Sequence, residues 1–261
     1  MQIRRIGFIS LMLCLVTVLA ACGGSKKAAT STASGGNSTA TASGSVPNTP
    51  PVDLATAYQN LINQQSFVMT AKLSNLEGSL AKLPGITDPT TIKIERAGND
   101  RHVQVITSTN RTLFELWRVN NQLYVNIGLG ATKTSENDSI VKQFLPLLDA
   151  DTQIVKGLAS VNATYAVTGT AKVNGVQTNV EHAQYNLAQV AGSIFSTGAN
   201  TNVDATISVA QSGSYLVKAD LTLHEGAAGT PVAGTATTNS GAHVVIDITK
   251  IGTLKAIAAP L

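Results

Sequence analysis

From residue 66 onward a period of two dominates the chain. Phe67, Met69, Ala71 and Leu73 alternate with more polar neighbours, and Ile92 and Ile94 with Lys93 and Glu95. Side chains on a strand point to opposite faces in turn, so this pattern predicts strands with one buried face. Val103 and Val105 follow a Gly98-Asn99-Asp100 turn. Residues 113–119 and 123–127 flank Asn120-Asn121, and residues 164–173 and 176–187 flank Asn174-Gly175. Both dipeptides tolerate the positive φ that two-residue hairpin turns demand. Val203, Ala205, Ile207 and Val209 form a further alternating run, and Tyr215, Val217, Ala219, Leu221 and Leu223 form another after Ser212-Gly213. A less regular segment at 234–238 and a clear one at 243–249 complete an expectation of about eleven strands.

Helical spacing is confined to two regions. Pro51 precedes Asp53, which can cap a helix carrying Leu54, Tyr58, Leu61 and Ile62. Residues 135–150 carry Ile140, Val141, Phe144, Leu147 and Leu148 at helical intervals, with Pro146 expected to kink or split the segment. Ile154, Val155 and Leu158 extend the pattern over 151–158. Tight turns force antiparallel pairing. The expected fold is therefore α+β, mostly β: a single large, curved antiparallel sheet with helices over part of one face. With five Phe, five Tyr and one Trp in the chain, the inward positions fall mainly to Val, Ile, Leu, Ala and Thr. Two outcomes stay open for so large an apolar face: a closed, ligand-free core, or a hollow filled by an apolar ligand.

The N-terminus has a different character. Arg4 and Arg5 precede an apolar stretch over 6–21 that ends in Leu19-Ala20-Ala21-Cys22-Gly23. Sixteen residues are short for a membrane-spanning helix, which needs about 20, and fit a secretory signal core. The Leu-Ala-Ala-Cys ending resembles a bacterial lipobox, which implies acylation of Cys22 and cleavage before it. Cys14 would leave with the leader, so the mature chain would hold neither a free thiol nor a disulfide. In residues 23–51, 21 of 29 are Ala, Gly, Ser or Thr, the composition of a flexible linker spanning roughly 30 Å. The expected organisation is a lipoprotein signal peptide over 1–21, a lipidated Cys22 with its tether over 22–51, and one domain over 52–261.

Charge narrows the choice of partners. The formal net charge is +3, with only 13% charged residues, and Arg4 and Arg5 account for most of the excess. Nucleic-acid binding by a broad basic face is excluded. Catalytic patterns are missing as well. His102, His182, His224 and His243 are scattered along the chain and read as surface or strand-pair residues. His224-Glu225 lacks the second histidine of a zinc-protease helix, position 228 being Ala. Gly128-Leu129-Gly130 has Lys133 where a dinucleotide fingerprint needs glycine, and reads as a loop. Glu136 and Asp138 suit a helix start. No catalytic residue, metal or cofactor is expected.

Four local patterns, in order, resemble the mycobacterial LppX/LprA/LprF/LprG lipoprotein family, itself similar in fold to the LolA and LolB carriers. They are the lipobox with its small-residue linker and the hairpin from Leu116-Trp117-Arg118-Val119 through Asn120-Asn121 to Leu123-Tyr124-Val125. Val167-Thr168-Gly169-Thr170, leading into Val173-Asn174-Gly175-Val176-Gln177-Thr178, is the third. The fourth is Val245-Ile246-Asp247-Ile248-Thr249 with the ending Lys255 to Pro260. The resemblance spans most of 53–260 and departs in the Ala/Gly-rich loop over 225–235 and in an Asn- and Thr-rich surface. It implies a half-barrel whose concave side, roofed by helices, encloses a pocket for acyl chains. The candidate pocket residues are Trp117, Ile140, Val141, Phe144, Leu147, Leu148, Ile154, Val155 and Leu158, for which cross-strand or core packing is the competing role. The expected protein is a monomeric, non-enzymatic lipoprotein on the extracytoplasmic face of the cell membrane, carrying acyl lipid or glycolipid. The alternative is an envelope sensory or scaffold module binding a protein or polymer.

Overall fold

Neighbouring strands joined by short turns run antiparallel, and all ten strand pairings in the computed structural model do so. The structure describes residues 49–75, 88–138, 141–149, 163–186, 200–226 and 242–260. In chain order the elements are α1 (Leu54–Asn63), β1 (Ser66–Ser74), β2 (Thr90–Ala97), β3 (Asp100–Ile106), β4 (Thr112–Val119), β5 (Gln122–Asn126) and β6 (Ala131–Thr134). Then follow α2 (Val141–Leu148), β7 (Ala166–Val173), β8 (Val176–Asn186), β9 (Asn200–Ala210), β10 (Leu216–Gly226) and β11 (Ala242–Thr249). They form one open sheet in the order β6-β5-β4-β3-β2-β1-β11-β10-β9-β8-β7. Two meanders thus meet where β1 pairs with β11, from Val68↔Thr249 to Ser74↔His243. The strands β6 and β7, consecutive in sequence, lie at opposite edges, and the connection between them carries α2.

The turns close as their sequences require. Asn120 and Asn121 have φ of 50° and 59°, and Asn174 and Gly175 have φ of 50° and 84°, the two positive values of a type I′ turn. The Asn174 turn also records the curvature of the sheet. Its Nδ2 donates to the carbonyl of Ile248 at 3.0 Å, yet β8 and β11 are three strand positions apart. In a flat sheet that separation is about 14 Å, so the β7–β8 hairpin must curl inward to reach β11. The sheet is an open half-barrel.

Both helices lie on one face. Asp53 caps α1, its Oδ1 accepting from the Thr56 amide at 2.9 Å, and Leu54, Ala57, Tyr58 and Leu61 are buried against β10. Asn60 ties the helix to the β9–β10 turn through the Ser214 carbonyl, at 3.0 Å. Full burial of side chains such as Leu54 and Leu61 is worth about 2 kcal/mol each. Helix α2 packs on β3 and β4. Its first turn is capped by Asp138, whose Oδ1 accepts from the Val141 amide at 3.2 Å and whose carbonyl accepts from Lys142 at 2.9 Å. The helix therefore starts after Asp138 and not at residue 135. It runs through Pro146 unsplit, forgoing the hydrogen bond that proline cannot donate.

One strand distinguishes the observed set from the expected one. Ala131–Thr134 pairs with β5 as an edge strand that the sequence pattern does not announce. The segment expected at 234–238, the helical pattern over 151–158, most of the Ala/Gly-rich loop, Cys14, Cys22, the leader and nearly all of the tether lie outside the described residues. Among the described residues no helix is long and apolar enough to cross a membrane.

The face away from the helices is mostly polar, with Val68 buried on it and one small apolar cluster over β4. Residues after β11 turn back, with Gly252 donating to the Ser66 carbonyl at 2.8 Å. Ile257 and Leu254 then pack with Trp117 and Val119. The C-terminal segment therefore covers part of the outer face over β4.

Candidate functional site

The inner face is apolar almost from edge to edge. Following the pairing register strand by strand, one row reads Glu181, Ile207, Ala219, Ile246, Ala71, Ile92, Val105 and Phe114. Seven of these are apolar and one is a carboxylate, and all are buried. The neighbouring row from Ala183 through Ala205, Leu221, Val244 and Leu73 is apolar throughout. The small alanines recur on both rows, so the face offers length without bulk.

Of the sequence-predicted pocket residues, Val141 and Leu148 are buried in this inner core, with Leu145 packed beside them. Phe144 and Leu147 belong to the α2 backbone, and their side chains lie outside what is described. Ile140, Ile154, Val155 and Leu158 also lie outside the described residues. A salt bridge pins this part of the roof: Arg118 on β4 donates to Asp149, just past α2, at 2.8 and 3.3 Å. A groove of about 290 Å³ beside Arg118 is lined by Asn121, Gln122, Leu123, Thr134, Ser135 and Glu136 and mixes polar and apolar surface.

Trp117 does not join these residues. Phe114 and Leu116 point to the inner core, so Trp117, out of phase with both, faces outward. There it stacks on His102 and packs under Ile257. It occupies the cross-strand packing role that competed with a place at the pocket mouth.

The histidines, scattered in sequence, find carboxylates across the strands of the outer face. His182 is 3.0 Å from Asp204, and His243 is 2.6 Å from Asp220. His102 lies between Glu95, at 2.9 Å, and Glu115, at 3.4 Å. The hydrogen bond from His102, with Lys93 at 2.8 Å adding to it, holds the Glu95 carboxyl down at about 2. His224 is on β10, and its side chain lies outside the described residues. Among the described residues no group of three His, Cys, Asp or Glu is placed to hold a metal.

Three polar residues on the inner face were not singled out by the sequence. Glu181 is fully buried. Its Oε2 accepts the Val52 amide at 2.9 Å, while its Oε1 has no hydrogen-bond partner among the described residues. Burial, assisted by the nearby Asp53 charge and opposed by the Val52 bond, pushes its pKa up to about 7. Tyr165 and Tyr185 have buried hydroxyls, which lie within reach of each other. Burial first, then for Tyr165 the charges of its neighbours, raises both phenols well above their ordinary range. On β8 apolar residues fall on both phases (Val176 and Val180 against Ala183 and Tyr185), so only the register shows that Glu181 points inward.

The architecture defines a class, an open antiparallel half-barrel with an apolar concave side and a partial helical roof. No family model matches the chain, and neither does any curated protein. Among solved structures the chain is similar to the lipoprotein LppX of Mycobacterium tuberculosis, at 14% identity over 76% of this chain and 93% of that one, with a TM-score of 0.43. It is similar to LprF of Mycobacterium bovis at 13% identity, over 78% and 96% of the two chains, again with a TM-score of 0.43.

Proposed function

We propose that this chain is a membrane-anchored lipoprotein that binds an acyl lipid or glycolipid against its concave face and carries it within the cell envelope, without catalysis. The observation that carries this reading is the inner face itself: nine of the eleven strands, β1–β5 and β8–β11, contribute to one continuous apolar cluster, and the described roof is two short helices. Residues 1–21 serve as the signal peptide, Cys22 as the acylated anchor, 22–51 as the tether and 52–261 as the binding domain. Val141 and Leu148 stand in the roof of the binding face, and Phe144, Leu147, Ile140, Ile154, Val155 and Leu158 are assigned to the same roof by their spacing.

The physical mechanism is transfer between like environments. Each methylene leaving water for an apolar surface gains about 0.8 kcal/mol, but an acyl chain moving from bilayer to protein loses and regains nearly the same amount. The exchange needs no nucleotide, and a tether of roughly 30 Å limits how far the loaded domain travels on the extracytoplasmic side. Gentle extraction followed by native mass spectrometry tests the reading. The expected result is a monomer with discrete added mass that matches acyl lipid. Delipidated protein that takes up no acyl lipid and retains an envelope protein or polymer instead would establish the scaffold alternative.

A further inference from the structure

A large apolar side chain held out in water forgoes the burial that the rest of its row gains. Among the described residues three such side chains are exposed: Leu113 at 40%, Ile127 at 49% and Leu129 at 90%. All three lie at one corner of the half-barrel. β4 begins at Thr112 and β5 ends at Asn126, so they share the end of the sheet opposite the Asn120-Asn121 turn. The register Glu115↔Asn126, carried two places further, sets Leu113 across from Gly128, between Ile127 and Leu129. Single exposed hydrophobic residues are ordinary on a protein surface, whereas a contiguous group marks a contact.

The loop that carries the group is shaped to hold it out. Asn126 Oδ1 accepts from the Gly128 amide at 2.9 Å and from the Gly130 amide at 3.2 Å. Both glycines have a φ of 95°, a conformation that side chains oppose, and no atom lies within 4 Å of where a Cβ on either would sit. Leu129 therefore stands on a formed turn with open space on both sides. Ile127 is in phase with Leu123 and Val125 of the inner core, so the apolar row of β5 runs on past the strand end to the rim. The segments 107–113 and 126–133 hold the exposed Arg111 and Lys133 and no acidic residue. Helix α1 starts beside Glu181, midway along β8, and runs to the 213–214 turn at the opposite end of the sheet. Its N-terminus, where the tether joins, thus points toward the end that bears the rim.

We infer that the β5–β6 loop, with Leu113 beside it, is the surface by which the domain docks on a lipid bilayer. Leu129 and Ile127 enter the boundary between headgroups and acyl chains, and Arg111 and Lys133 face anionic headgroups. Interfacial binding of this kind grows with the apolar area buried and with the attraction of cations to anionic lipid. The inference rests on the membrane attachment in the reading above and deepens it by naming where the domain meets the membrane. Ile127 then joins the bilayer to the inner face, and an acyl chain passes between them along apolar surface.

The test uses the mature, acylated protein in vesicles of phosphatidylcholine and phosphatidylglycerol, with and without bromine on the acyl chains, which quenches tryptophan at close range. Leu129→Trp places a reporter at the tip of the loop, and Gln122→Trp places one at the other end of β5. Trp117, packed with Ile257, is the common baseline. Bromination is expected to cut the added emission of Leu129→Trp at least twofold and to leave Gln122→Trp and wild type unchanged. The double variant Ile127→Asp, Leu129→Asp is expected to slow acyl-lipid transfer between vesicles about tenfold, while its uptake of lipid in solution, read by native mass spectrometry, is unchanged. An unquenched Leu129→Trp overturns the docking surface. Emission that shifts with protein density but ignores bromine assigns the rim to a second copy of the chain and overturns it as well. Docking by a protein that takes up no acyl lipid keeps the rim and overturns the carrier reading alone. Protein that does not stay with the vesicles overturns the anchored reading, and this inference falls with it.

Discussion

His102 lies flat against Trp117, their ring centroids 4.6 Å apart and their planes 7° from parallel. The two are direct cross-strand partners on β3 and β4, and the pair is buried on the face opposite the inner core. The stack gives the sole tryptophan a structural task, closed over by Ile257 from the C-terminal segment.

Trp117→Ala is therefore expected to destabilise the domain by about 3 kcal/mol, as for a large aromatic removed from a packed site, and to leave acyl-lipid uptake unchanged. Urea unfolding measures the first and native mass spectrometry the second. Loss of uptake in a variant that remains folded would return Trp117 to the binding face.

Glu95 sets the behaviour in acid. Its pKa is lowered from 4.5 to about 2 by the His102 hydrogen bond first, so the folded state holds its proton less tightly than the unfolded chain does. The resulting stabilisation is complete above pH 4.5 and is lost as pH falls toward 2, with a magnitude of at most about 3 kcal/mol. Urea midpoints across this range are expected to fall less steeply in Glu95→Gln than in wild type.

Glu181 works in the opposite sense and in a different window. Its pKa is raised from 4.5 to about 7, chiefly by burial, so its contribution is most favourable below pH 4.5 and is lost as pH rises through 7. The change is on the order of 3 kcal/mol at most. Glu181→Gln is expected to flatten this part of the pH–stability profile and to be the more stable protein at pH 8. A wild-type profile that stays level between pH 4.5 and 8 would count against a buried Glu181 carboxyl.

Asn174 joins an edge hairpin to the middle of the sheet. Replacing it with Ala removes the bond to the Ile248 carbonyl and places a residue with a Cβ penalty at φ 50°. Together these cost about 2 kcal/mol. Asn174→Gly keeps the turn and loses only the bond, so its urea midpoint is expected to fall between those of wild type and Asn174→Ala.

The anchor proposal has its own test. Cys22→Ser is expected to abolish acyl labelling and to release the protein from the membrane fraction, because stable attachment needs more than one chain. Retention of the variant with its label would refute it.

Most strands were legible because one face is buried, and burial of one face writes a period of two into the sequence. The turn at Asn174-Gly175 and the cap at Asp53 were legible because few residues tolerate those backbone geometries or satisfy those amides. β6 was not, since Ala131-Thr132-Lys133-Thr134 has no alternation and becomes a strand only by pairing with β5. The start of α2 shifted because Asp138 supplies the cap. Trp117 stayed open between the pocket and cross-strand packing, although the phase of Phe114 and Leu116 places it on the outer face. Glu181 required the register, which no single strand contains.

The pairing of β1 with β11 bears on how such a chain is made. The halves of the sheet are each built from consecutive hairpins, but the seam between them needs residues 242–249, some 170 residues after β1 has been synthesised. Contacts this distant in sequence form slowly. A chain emerging from the ribosome cannot complete its sheet until this strand is available, so joining the two meanders is a late step in the folding of the half-barrel.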